Sequence, residues 1–319
     1  MKYLRYSLLL LLSIAFSNTS QAQSDPVWVN GINYELNEET KTASVTFGGE
    51  YYGDIVIPSS VNGYSVTSIG DHAFTGCNTM TSITMPNTIT SIGERAFGEC
   101  SGLTSITIPN SVTTISAFAF DTCTGLTSIT IPNSVTSIDR NVFMNCSGLT
   151  SIHIPDVVTS IGPSAFAYCS SLTSITIPDA VKSIGFGAFS YCSSLTAVTI
   201  GSSVEEIDHT AFMFRTALTT VVCKAVTPPA LANNVFAFIP EDAILYVPSG
   251  SVEAYRNDAK WAVIYFVKTL NDVPTSIEAV KGHADTGASN SAMYNLGGQR
   301  ISKPGRGIFI KNGNVYIAK

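Results

Sequence analysis

The sequence predicts a mostly β fold, a solenoid of 23-residue coils closed by a cap at each end and followed by a small C-terminal β tail domain. Three observations carry this. The decapeptide "LTSITIPNSV" begins at Leu103 and again at Leu126, 23 residues later. Phe74, Phe97, Phe120, Phe143, Phe166, Phe189 and Phe212 form a column at the same period. The last stretch of the chain alternates strand-forming runs with Gly-Gly, Pro-Gly and Asn-Gly turn signals.

Residues 1–22 are set apart from the fold. Lys2 and Arg5 form a basic start, "SLLLLLSIAF" from Ser7 to Phe16 is an apolar core, and "SQA" from Ser20 to Ala22 offers small residues for cleavage. This is the pattern of a secretory signal peptide, so an exported mature chain without a membrane span is expected. Without Lys2 and Arg5, 15 basic side chains face 23 acidic ones, a net charge of −8. No basic cluster is present to recognise nucleic acid or an anionic lipid surface.

Residues 23–65 read as an N-terminal β cap with a first, imperfect coil lengthened by "NGY" at Asn62. Residues 66–223 hold seven 23-residue coils without an insertion. A period of this size means that each unit cannot bury its own apolar face and must stack on its neighbours. Within a coil, "LTSITIP" alternates apolar and hydroxyl residues and is rich in β-branched side chains, which predicts a half-buried strand. Pro86, Pro109, Pro132, Pro155 and Pro178 end it, because proline has no N–H for a ladder. "SVTSI" predicts a second short extended piece, and "xAFxxC" a single helical turn that carries Phe and Cys inward.

Residues 224–270 form the last coil and the C-terminal cap, with Phe236 slipped by one from the register. Ser251 is placed to cap a short helix, and Tyr255 and Trp261 to close the core. Residues 271–290 lose apolar periodicity and read as a linker. Residues 291–319 read as a β tail of three strand-like runs.

The run "CSGLTSITIPNSVTTIS" from Cys100 to Ser116 and its equivalents resemble the BspA-type leucine-rich repeat family over roughly residues 55–270. Leu103-x-x-Ile106-x-Ile108 matches the opening of the general leucine-rich repeat, but Pro109 stands where that repeat has a polar residue. The resemblance implies a leucine-rich-repeat solenoid without long convex helices. It also implies a secreted or cell-surface protein that attaches to host matrix proteins or to other bacteria. The tail "YNLGGQRISKPGRGIFIKNGNVYIAK" is similar to the C-terminal sorting domain of proteins exported by type IX secretion, which implies translocation across the outer membrane.

The chemistry is sparse. Cys77, Cys100, Cys123, Cys146, Cys169 and Cys192 recur at one position in successive coils, and an odd total of seven leaves at least one thiol unpaired. They are expected to be reduced, buried and to act as small hydrophobes. A line of one Cys per coil cannot surround a tetrahedral metal, and no CxxC or paired His accompanies it. His72, His153, His209 and His283 lack a neighbouring nucleophile, and no HExxH, GxSxG or Gly-rich phosphate loop occurs. No catalytic, metal or cofactor-binding residue is therefore expected.

What varies among otherwise interchangeable coils is the better guide to binding. Aromatics gather at positions that the core does not need: Phe118, Tyr168, Phe186, Tyr191 and Phe214. His153 interrupts a hydroxyl face built from Thr104, Ser105, Thr107 and their equivalents. These aromatics suit either contact with a partner or packing between turns. The functional expectation is an adhesin for extracellular or surface proteins; the alternative is a glycan-binding accessory protein at the cell surface.

Overall fold

The computed structural model describes residues 25–214 and 216–273, and the backbone of four strands between 293 and 318. The signal-peptide reading and most of the linker reading lie outside the described residues. Each coil places a strand beside its counterpart 23 residues away. Ser128, Ile129 and Thr130 pair in parallel with Ser105, Ile106 and Thr107. One such sheet runs from Ser174–Thr176 through Ala197–Ile200, Thr220–Cys223 and Ile244–Val247 to Phe266–Thr269. Alternation sets the facing: Ile106 and Ile108 are buried while Ser105 and Thr107 are exposed. Each proline then opens a turn, as when the Val112 N–H donates to the Pro109 carbonyl at 3.0 Å. The second extended piece is the short strand that follows, and Ser160–Ile161, Ser183–Ile184 and Glu206–Ile207 pair in parallel in the same way.

The Phe column fills the axis. From Phe74 to Phe236 successive rings stack with centroids 5.2–5.5 Å apart, and all are buried. Phe236 joins the column despite its slipped register. Tyr51 closes one end at 4.9 Å from Phe74, and Trp261 the other at 5.4 Å from Phe236. The first cap is antiparallel: Val27–Val29 pairs with Ile32–Asn37, and that strand with Thr42–Val45, which joins the coils in parallel through Tyr64–Ile69. At the other cap, the Trp261 indole donates to the Pro229 carbonyl at 2.9 Å and the Tyr255 hydroxyl to the Ala225 carbonyl at 2.8 Å, so both large buried rings keep a hydrogen bond.

Three local expectations need correction. The "xAFxxC" segment is not a helical turn. It holds two left-handed residues four apart, such as Arg95 (φ 51°) and Glu99 (φ 63°), and alternate N–H groups leave the coil. The N–H groups of Arg95, Phe97 and Glu99 donate to the Ala117, Ala119 and Asp121 carbonyls of the next coil at 2.7–3.2 Å. A helix would have kept those donors to itself. Second, the helix Val252–Asn257 does begin after Ser251, but the Ser251 side chain makes no capping bond, because the 3-10 turn Ser249–Ser251 leads directly into it. Third, the tail has four strands where three runs are expected: Met293–Asn295, Arg300–Ile301, Gly307–Lys311 and Asn314–Ala318, joined antiparallel.

Candidate partner-binding surface

The second left-handed position of each turn holds Gly76, Glu99, Thr122, Asn145, Tyr168, Tyr191, Phe214 and Phe238, with φ between 57° and 74°. Gly and Asn suit that backbone, whereas a bulky side chain there is uncommon and costs on the order of 1–3 kcal/mol. Yet the last four coils in this series carry aromatics. Their rings form a second stack outside the core, 4.6 Å from Tyr168 to Tyr191, 4.8 Å to Phe214 and 4.7 Å to Phe238. The first and last of these pairs are parallel within 2°. Stacking of this kind contributes about 0.5–1.5 kcal/mol per pair, enough to offset part of the backbone cost. The rings nevertheless stay wet, with Tyr168 47%, Tyr191 41% and Phe238 64% exposed.

The remaining expected residues lie elsewhere. Phe118 occupies the first left-handed position of its turn (φ 60°) and is sandwiched by two guanidinium groups, Arg95 at 4.5 Å and Arg140 at 5.6 Å from the ring centre. Arg95 is itself held 3.5 Å from the buried carboxylate of Asp121, whose pKa burial raises. Phe118 thus has cationic partners within the chain. Phe186 is exposed in the position before a left-handed Gly187, outside the stack. His153 is exposed on the strand face, bridged to Thr130. Phe238 belongs to the stack and is missing from the expected set. Its signal was available: Phe236 is slipped by one, and Phe238 follows it at the same two-residue offset that separates Phe212 from Phe214.

One column of the hydroxyl face is occupied by its own backbone. Thr127, Thr150, Thr196 and Thr219 donate their side-chain hydroxyls to carbonyls 23 residues earlier, at 3.0–3.4 Å. The seven cysteines are unbridged and buried. Burial pushes Cys100 up to about 12 and holds Cys123 and Cys146 well above the ordinary thiol value. Among the described residues no three His, Cys, Asp or Glu side chains group as a metal site. The His209 ring meets the adjacent Asp208 carboxylate in a side-chain hydrogen bond at 2.6 Å, and that bond holds the Asp208 pKa low.

A family model described as a BspA type leucine rich repeat region, in six copies, matches residues 44–169 and 136–239. Among solved structures, a leucine-rich repeat protein of T. pallidum is 24% identical, with 69% of this chain and 92% of that chain covered and a TM-score of 0.48. A leucine-rich cell surface protein of Faecalibacterium prausnitzii is 23% identical, covering 79% and 96%, with a TM-score of 0.47. The pneumococcal vaccine antigen PcpA is 15% identical, covering 77% and 97%, with a TM-score of 0.37. No curated protein matches the chain.

Proposed function

The chain belongs to the BspA-type leucine-rich repeat family, and from that premise we propose that it is an exported binding protein, secreted or held at the cell surface. Its partners in this reading are other proteins, namely host matrix proteins or the surfaces of other bacteria. The observation that carries the reading is the stack of Tyr168, Tyr191, Phe214 and Phe238 at left-handed positions, with Phe214 half-buried and the other three rings exposed. Rigid aromatics supply much contact area for little conformational entropy and are enriched in binding hot spots. The core has its own Phe column and does not need them.

The stack favours a protein partner over a glycan. A sugar ring packs on an open aromatic face, and here Tyr191 and Phe214 have rings on both sides. Binding of the mature chain to immobilised matrix proteins and to whole bacterial cells tests the proposal. Tyr168→Asn with Tyr191→Asn removes two rings while suiting the left-handed backbone, and should weaken binding at least tenfold. Equal binding by this variant and the parent would remove the stack from the docking surface.

A further inference from the structure

We infer that the exposed aromatic stack docks an uncharged proline-rich segment of a partner protein in the polyproline II conformation, laid along the solenoid axis. The inference rests on the proposed docking role of the stack and adds the chemistry of what it holds. Spacing is the first argument. Successive rings lie 4.6, 4.8 and 4.7 Å apart, so every second ring is separated by about 9.4 Å. A polyproline II helix has three residues per turn and rises about 3.1 Å per residue, so it presents the same face about every 9.3 Å. Three ligand residues therefore span two coils. An extended strand repeats its face about every 6.6–6.8 Å and an α-helix about every 5.4 Å, and both drift out of step with the rings within the four coils.

Hydrogen bonding is the second. A strand added to a sheet edge needs free backbone donors and acceptors along the docking face. Three of the four turns under the stack have spent theirs: the N–H groups of Tyr168, Tyr191 and Phe214 donate to the Ser190, Met213 and Ala237 carbonyls of the next coil at 2.8–3.4 Å. A polyproline II segment makes no demand on the receptor backbone, and its own carbonyls are free to accept from side chains. Tyr168 and Tyr191 carry hydroxyl donors on exposed rings, while Phe214 and Phe238 offer apolar edges for proline rings. Charge is the third. The four residues are neutral, and the nearest carboxylate in their column is Glu99, three coils before Tyr168. Recognition without ion pairs is insensitive to salt.

The test uses fluorescein-labelled decaproline against the mature protein, with a Gly-Ser decapeptide as control. The parent should bind decaproline saturably, with affinity changing less than about twofold between low and high salt. Tyr168→Asn with Tyr191→Asn, and separately Phe238→Asn, should each bind about tenfold more weakly or worse, with melting by circular dichroism as the check on folding. Decaproline bound no better than the control, or bound equally by the parent and both variants, overturns the inference. If the double variant loses binding to matrix proteins while the parent ignores decaproline, only the polyproline assignment falls; if matrix binding is unchanged in the variant, the docking face itself falls.

Discussion

The Cys123 thiol donates to the carbonyl oxygen of Phe97, 26 residues earlier in the preceding coil, with sulfur and oxygen 3.0 Å apart. The relationship repeats from Cys100 to Phe74, Cys146 to Phe120, Cys169 to Phe143 and Cys192 to Phe166, at 3.0–3.2 Å. Each of these Phe carbonyls from Phe74 to Phe166 also accepts the Cys N–H of its own coil at 3.1–3.4 Å. The cysteines are thus donors that tie one coil to the last, as well as small apolar side chains.

A thiol held protonated in the core should not react. Iodoacetamide should leave Cys100, Cys123, Cys146, Cys169 and Cys192 unmodified in the native protein and label all five after denaturation, because alkylation needs an accessible thiolate. Peptide mass spectrometry reads the outcome. Labelling at the rate of a free thiol would show that the column breathes open.

The same shifts fix the response to alkali. Cys100 is raised from an ordinary value near 9 to about 12, Tyr34 is raised from 10 to about 12, and Cys123, Cys146, Cys169 and Cys223 move in the same direction. Above the ordinary thiol value the unfolded chain gives up protons that the folded chain keeps, so stability falls as pH rises. Their contribution should be fully present below about pH 9 and decline from there toward about pH 12. Urea titrations at a series of pH values check the sign, and a stability that rises over that range would refute it.

Phe143→Ala empties one place in a column stacked on both sides, at 5.5 Å from Phe120 and 5.3 Å from Phe166. A loss of about 3–5 kcal/mol is expected, the range for a buried Phe truncated to Ala. Denaturant unfolding measures it. A loss under about 1 kcal/mol would place the ring outside the load of the core.

The tail strands pair only with one another among the described residues. Deleting residues 292–319 should therefore leave the melting temperature of the solenoid within a few degrees, while the amount of protein reaching the cell surface drops. Surface labelling of intact cells settles it. Wild-type display of the truncated chain would end the sorting role that the resemblance of this segment implies.

The periodic part of the fold was legible because every coil restates it. Phe143 and Cys146 are buried for the same reason as Phe97 and Cys100, and a single sequence supplies the comparison. The turn conformation was not legible, because its cause lies between coils. Gly76, Gly187, Asn141, Asn145 and Asn234 suit a left-handed backbone, while Arg95, Phe118, Tyr168 and Tyr191 adopt it with no local preference for it. Three hydrogen bonds to the next coil overrule that preference, and those appear only when the coils are stacked. Tyr168, Tyr191 and Phe214 could be singled out as a group, but their mutual stacking could not, and Phe238 was hidden by one extra residue.

The turn peptides of Tyr168, Phe166 and Ser164 aim their N–H bonds at the following coil, as do their counterparts from His72 to Phe214. Peptide dipoles so aligned add along the axis, whereas those of a sheet largely cancel. The turn face is accordingly polarised, positive toward Phe236 and Phe238 and negative toward Asp71 and Ala73. This is the reverse of an α-helix, whose amino end is positive. A peptide lying on the rings thereby meets a field with a direction as well as a track.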